Sequence, residues 1–238
     1  MSGVTGLWVY QTLSASPPDP DAVAARAKRH GLQWLAAQAT AGATLLNPDW
    51  IRAMRTATRR RDMRLGVHGY IGKPSPQPDA EADAMTRAIE LSKADFAIVN
   101  AEIEYERSPN PDSCAFVHAF RQLQPDVVSY FSSFGRPQFH GALDWAAWAK
   151  GKFDGMPQAY ENLNAHQLTP AQCVADWARF FDPTGLRPTL GCFAEHGHGH
   201  LATARLIASI QEVPGLRFNI FRHGTVTDAE LKALSNAQ

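Results

Sequence analysis

Eight short apolar runs recur along the 238-residue chain, and the intervals between them are long enough to hold a helix. The runs fall at residues 7–11, 34–39, 65–70, 96–104, 127–131, 155–160, 189–193 and 217–221. Strands separated by helical stretches of roughly 10–15 residues do not close as hairpins. They build parallel βαβ units with right-handed crossovers. The helix starts are legible, because Asp19, Asn47, Asn110 and Thr169 each stand directly before a proline. Such a side chain caps an orphan N–H, and proline at the next position has none to satisfy. Thr169 with Gln172, and Thr227 with Glu230, have capping-box spacing. Asp79 is expected to open the third helix, Asp144 the fifth, and the region of His200 the seventh. In the sixth helix Val174, Trp177 and Phe181 form one apolar stripe. No glycine-rich phosphate loop follows the first run, which favours a closed barrel over an open doubly wound sheet. The expected fold is a single (β/α)8 TIM-type barrel over residues 1–238.

Connections into the strands read as short turns at Gly31, Pro125 and Gly215, whereas those leaving them are longer, at 12–18, 72–78, 106–109 and 194–200. A barrel keeps its active site on the side of those longer loops. Composition narrows the function. Lys+Arg and Asp+Glu are 23 each, giving no basic footprint for nucleic acid or a membrane surface. No apolar run approaches the roughly 18 residues of a membrane span, and the N-terminus lacks a basic, then apolar, leader. The expectation is synthesis in the cytoplasm, with action elsewhere only as a phage or exported protein. Cys114, Cys173 and Cys192 are odd in number and far apart, so they read as buried free thiols.

The most informative segment is the fourth run, from Phe96 to Glu106. Period-2 alternation puts Ala97, Val99, Ala101 and Ile103 on one face and Ile98, Asn100, Glu102 and Glu104 on the other. The apolar face belongs against the helices, so the polar row points into the barrel and rises toward its mouth. Unpaired buried carboxylates are costly. Two alternatives stay open: the glutamates do chemistry, or they pair with Arg222 or Lys73 in a structural network. Same-face neighbours sit about 7 Å apart and repel, so one is expected to hold a proton while the other stays charged. Glycosidic cleavage uses such a division. Glu106 lies past the strand and reads as a loop residue.

Asn100, Glu102 and Glu104 together resemble the Asp-x-Asp-x-Glu end of strand four in family 18 chitinases, with Asn and Glu replacing the first two acids. Glu102 and Glu104 are also similar to the Asp-x-Glu pair of family 25 lysozymes. The segment from Met156 to Glu161 is similar to the Met-x-Tyr-Asp segment of the chitinases, and that from Gly66 to Tyr70 to the Tyr-His-Phe strand of the lysozymes. The resemblance implies a glycosidase of the endolysin or tail-associated wall-hydrolase type, acting on an N-acetylhexosamine polymer such as peptidoglycan. Glu104 would be the acid and Glu102 would orient the acetamido group or support water. Asn100, Gln158, Tyr160, Glu161, His68 and Tyr70 would contact the sugar. The strand-one and strand-eight acids of the lysozymes have no counterpart in residues 7–11 or at Asn219, Arg222 and His223.

Glu195, His196, His198 and His200 form the other conspicuous cluster, spaced by glycines. Glu195 is expected to touch substrate. The histidines read as a lid, as substrate contacts or as a metal site. The last would make the chain a metal-dependent amidohydrolase, whereas the carboxylate reading needs no metal or cofactor. A non-catalytic carbohydrate-binding or phage structural barrel is the remaining alternative. Tyr70 and Tyr160 are placed to stack on sugar faces, while Trp145, Trp148 and Trp177 read as core.

Overall fold

The computed structural model describes residues 3–11, 16–106, 112–161, 169–194 and 199–237. Eight parallel strands close into a barrel, since the first pairs with both the second and the eighth. In order the barrel strands are Gly3–Val9, Trp34–Ala41, Arg64–Tyr70, Phe96–Asn100, Ser129–Phe134, Asp154–Ala159, Thr189–Gly191 and Arg217–Phe221. Around them run α1 (Pro20–Arg29), α2 (Pro48–Arg59), α3 (Pro78–Ser92), α4 (Asp112–Leu123), α5 (Trp145–Lys150), α6 (Pro170–Trp177), α7 (Thr203–Gln211) and α8 (Asp228–Ser235). The expected barrel is therefore present, with one addition. Thr44–Leu45 folds back antiparallel on the end of the second strand, a two-residue ribbon too short to give a periodic signal.

Caps fix most of the helix entries. Asp19, Asn47, Asp144 and Thr169 each accept a backbone N–H one turn in, and the boxes at Thr169/Gln172 and Thr227/Glu230 are both complete. Asp79 does not open the third helix. Pro78 does, behind Gln77, whose side chain makes no capping bond. The seventh helix begins at Thr203, past the expected His200, and the cap expected at Asn110 lies outside the described residues. In α6 the buried members are Pro170, Cys173 and Trp177, with Val174 only partly buried and Phe181 just beyond the helix.

Two apolar layers result from the alternation along each strand. The outward residues, among them Ala97, Val99 and Ala101, merge with the helices into the main core. Trp145, Trp148 and Trp177 belong to it, Trp148 stacked 4.3 Å from Phe131. The inward residues form a second cluster of Trp8, Ala36, Phe96, Ile98 and Met156, flanked by Trp34, Tyr130 and Phe221. Glycine makes room within it. A methyl on Gly6 would lie 2.0 Å from the Trp34 ring, and one on Gly66 would lie 2.1 Å from Phe96. Cys173 and Cys192 are buried as expected, but Cys114 is exposed on α4, where its thiol donates to Asp144 Oδ2 at 3.2 Å. Helical periodicity fixes spacing, not which face meets the barrel, so a single thiol was easily misassigned.

Candidate active site

The fourth strand ends at Asn100, four residues before the expected Glu104. Ala101 still donates to Ser132 of the fifth strand, but the chain then turns, with Tyr105 N donating to Glu102 O at 3.0 Å. A single 3-10 turn, Ile103–Glu106, follows. Ile103 is consequently exposed rather than packed on the helices. The carboxylates do not climb one strand face. Glu102 caps the strand, and Glu104 reaches the mouth from the turn.

Around Glu102 the side chains interlock. Gln158 Nε2, from the sixth strand, donates to Asn100 Oδ1 at 2.8 Å and to Glu102 Oε1 at 2.9 Å. Asn100 Nδ2 donates to the same Glu102 oxygen at 3.1 Å. Two N–H groups on one oxygen hold the carboxylate by charge-assisted bonds. Among the described residues Glu104 is held by one partner, the Tyr70 hydroxyl, which donates to Oε2 at 2.7 Å. Tyr70 is the last residue of the third strand. Burial, then the Glu102 charge and the bond to Glu104, push its phenol well above the usual range, so it stays a donor. The Lys73 ammonium sits 4.4 Å from the Tyr70 ring centroid. Among the described residues neither glutamate forms an ion pair, so the structural pairing with Arg222 or Lys73 is not seen there.

Beneath Glu104 lies a second acid that sequence reading missed. Glu81 on α3 is only 1% exposed. Its Oε1 accepts from Gly72 N at 2.6 Å, and its Oε2 accepts from the Tyr105 hydroxyl at 2.5 Å and from Gln77 N at 3.4 Å. Burial raises its pKa, against the pull of those donors. Gly72 has φ +98°, and a methyl there would lie 2.7 Å from Glu104 Cβ. Glu81 thus ties the loop after the third strand to the turn that carries Glu104. The helix also carries Asp79, Asp83 and Glu90, so nothing local marks Glu81 among them.

The remaining expected contacts divide. Tyr160 stands beside Phe193 and Phe221, at 5.3 and 5.4 Å between ring centroids, and Tyr10 meets Phe221 edge-on at 5.2 Å. These rings form an aromatic wall at the mouth, in which Tyr10 and Phe221 were legible from inward parity. His68 lies lower, 1% exposed between Trp8 and Tyr10. Burial pulls its pKa down to about 3, so the ring is neutral. Glu161 turns toward α7 and is held by Arg205 Nε at 2.6 Å and Ser209 Oγ at 2.5 Å. Asn219 is fully buried and binds Trp8, Thr189 and two backbone carbonyls. Glu106 meets His140 Nδ1 at 2.7 Å.

Glu195, His196 and His198 lie outside the described residues. His200 is described, and its Nδ1 is 3.3 Å from Glu230 Oε1. Among the described residues no group of three or more His, Cys, Asp or Glu could hold a metal ion. No described helix is long and apolar enough to cross a membrane.

The closed barrel, with polar groups gathered at the C-terminal ends of its strands, defines the molecule as a (β/α)8 barrel of the kind that carries its site at the top. No family model matches the chain, and no curated protein does. Solved structures do. The chain is similar to the spore cortex-lytic enzyme SleL of Bacillus megaterium, with TM-score 0.68 and 8% identity over 97% of this chain and 72% of that one. It is equally similar to a family GH18 chitinase from Cycas revoluta in complex with allosamidin, with TM-score 0.68, 7% identity and 98% and 99% of the two chains covered. The glycoside hydrolase domain of PgaB from Bordetella bronchiseptica gives TM-score 0.67 and 11% identity over 99% of each chain. At these identities the likeness establishes the fold.

Proposed function

We propose that the protein is a glycoside hydrolase acting on an N-acetylhexosamine polymer, with Glu104 as general acid. The observation that carries this reading is the setting of the two glutamates. Both stand at the mouth and are held by neutral donors, Asn100, Gln158 and Tyr70, with no ion pair among the described residues. What sets them apart from the buried, structural Glu81, whose two oxygens are both taken by donors of the fold, is that each has one carboxylate oxygen with no donor among the described residues. Glu104 protonates the leaving oxygen from its free Oε1 side while Tyr70 fixes Oε2. Glu102, immobilised through Oε1, presents its other oxygen to the acetamido group or to the attacking water. The aromatic wall of Tyr10, Tyr160 and Phe221 offers ring faces to the C–H faces of the sugar.

The named neighbours support this reading, being a cortex-lytic enzyme, a chitinase and a glycoside hydrolase domain. The finer assignment, a peptidoglycan hydrolase of phage endolysin or exported type, is supported by the likeness of Glu102 and Glu104 to the lysozyme pair. Release of reducing ends from peptidoglycan and from N-acetylglucosamine oligomers tests both levels. Glu104→Gln is expected to lower the rate by about 10²–10⁴-fold, the usual contribution of a general acid, while leaving the melting temperature and oligosaccharide affinity near wild type. Wild-type rates in a folded Glu104→Gln variant would remove the mechanism and leave a carbohydrate-binding barrel.

A further inference from the structure

The opposite end of the barrel carries a cluster that the catalytic reading does not use. Arg64 and Arg217 are the first residues of the third and eighth strands, and Arg187 stands two residues before Thr189. All three share the parity of inward residues. Arg64 is in step with Gly66 and His68, Arg187 with Thr189, and Arg217 with Asn219; the Thr189 hydroxyl donates to Asn219 Oδ1 inside the barrel. The arginines line a cavity of about 180 Å³, together with Gln33, Trp34 and Tyr130. Phe96 and Met156 form its buried wall, and the fit of Trp34 and Phe96 over Gly6 and Gly66 closes it off from the mouth.

Among the described residues no carboxylate contacts these cations directly. None of the three forms an ion pair among the described residues. Arg187 Nη1 is anchored to the Thr184 and Leu186 carbonyls at 3.1 and 2.9 Å, while Arg64 donates to the Asp95 carbonyl at 3.5 Å and lies 5.1 Å from the centroid of the Phe96 ring. The Asp95 carboxylate is taken by Arg55 and Leu65 N. Asp154, opposite Tyr130 in register, is the one acid at an inward position here, and its field is felt with that of Arg187. Tyr130 feels all three guanidiniums as well as Asp154, although burial governs its phenol. Asp182 adds its charge beside Asp154, so three cations face two acids, and the exposed Arg64 and Arg217 leave a positive excess at the cavity rim.

We propose that this end of the barrel binds a tetrahedral oxyanion, a phosphate or sulfate group, between Arg64, Arg187 and Arg217, with the Tyr130 hydroxyl as a further donor. The planar guanidinium fork matches two oxygens of such a group at once. A water molecule takes about 30 Å³ of liquid, so the cavity holds one oxyanion with a few waters and not an oligosaccharide. The site is thereby distinct from the sugar cleft, and it stands whether or not the hydrolase reading does.

Titrating the whole protein with inorganic phosphate at constant ionic strength, followed by calorimetry and by thermal unfolding, tests the proposal. Saturable binding is expected, with a melting temperature that rises with phosphate beyond the chloride control. Arg217 has no side-chain hydrogen bond among the described residues, so Arg217→Gln should fold normally. It should weaken phosphate binding at least about tenfold, as expected for one charge-assisted partner, and Arg217→Lys should weaken it less. A phosphomonoester such as glucosamine 6-phosphate separates the sources: tighter binding than inorganic phosphate marks a group carried on a larger molecule, equal binding a free ion. Absence of saturation above the chloride control, identical binding by Arg217→Gln, or competition between phosphate and oligosaccharide would each overturn the proposal.

Discussion

Gly72→Ala offers the sharpest test of how the catalytic turn is held. The residue sits at φ +98°, where an L side chain costs about 1–2 kcal/mol in backbone strain. The added methyl would also lie 2.7 Å from Glu104 Cβ and 3.1 Å from the Tyr105 ring. Carbon atoms prefer about 3.5–4.0 Å, so something must retreat by about 1 Å. Tyr105 cannot, being 3% exposed and tied through its hydroxyl to Glu81, so the shift falls on Glu104. A displacement of about 1 Å at a reacting group costs on the order of 10²-fold in rate. The expected outcome is a loss of about 2–3 kcal/mol in stability, or roughly 5–10 °C for a chain of this size, with a hundredfold loss of hydrolysis. Gly215→Ala is the control. Its φ is +89° with nothing within 4 Å of the added methyl, so it should show the strain without the loss of activity. Rates measured on a soluble N-acetylglucosamine oligomer, beside thermal unfolding of both variants, decide the matter. Wild-type activity in Gly72→Ala, or equal loss in both variants, would refute the argument.

Glu81→Gln leaves one acceptor oxygen where the carboxylate offered two, so either Gly72 N or the pair of Tyr105 hydroxyl and Gln77 N meets an amide NH2 instead. It should cost about 1–3 kcal/mol and lower kcat more than it raises KM, whereas Tyr105→Phe should cost about 1 kcal/mol. His68 gives a pH signature. Its ring titrates near 6.5 when unfolded but only at about 3 in the barrel, so the unfolded chain binds the proton first and stability falls as pH drops through that window. His68→Gln should flatten the difference in melting temperature between pH 7 and pH 4, and an unchanged slope would count against it. Hydrolysis should survive EDTA, because both reacting groups in the proposed scheme are carboxylates; loss on chelation with rescue by zinc would reverse that.

The barrel could be read from the sequence because its signals are local. Caps at Asp19, Asn47 and Thr169 mark helix starts, and alternation along residues 96–100 separates the Ala97 and Val99 face from Ile98 and Asn100. Alternation misled where the strand ended. A 3-10 turn is too short to leave a period, so Glu104 looked like one more step along the strand when it actually swings in from a loop. Asn100 and Gln158 were named separately, but their junction on Glu102 is a contact between residues 58 positions apart that no local pattern carries. Glu161 shows the reverse. Its segment matches a motif, while its direction is set by Arg205 and Ser209 on a helix more than 40 residues later. Glu81 was passed over because an acid on a helix is ordinarily a solvated one, and only the fold brings the turn down onto it.

The inward glycines bear on how this barrel can change over time. Gly6 makes room for Trp34, and Gly66 for Phe96, each ring occupying the space its neighbour's side chain gives up. Neither partner of such a pair can change alone: a methyl on Gly66 collides with the Phe96 ring, and a smaller residue at Phe96 opens a void beside a bare backbone. Relatives of this chain should therefore exchange bulk between adjacent strands in concert, an aromatic appearing on one as a small residue appears on the next. The two ends of the barrel meet across that shared layer, so the loops at one end can be rebuilt without disturbing the chemistry of the other.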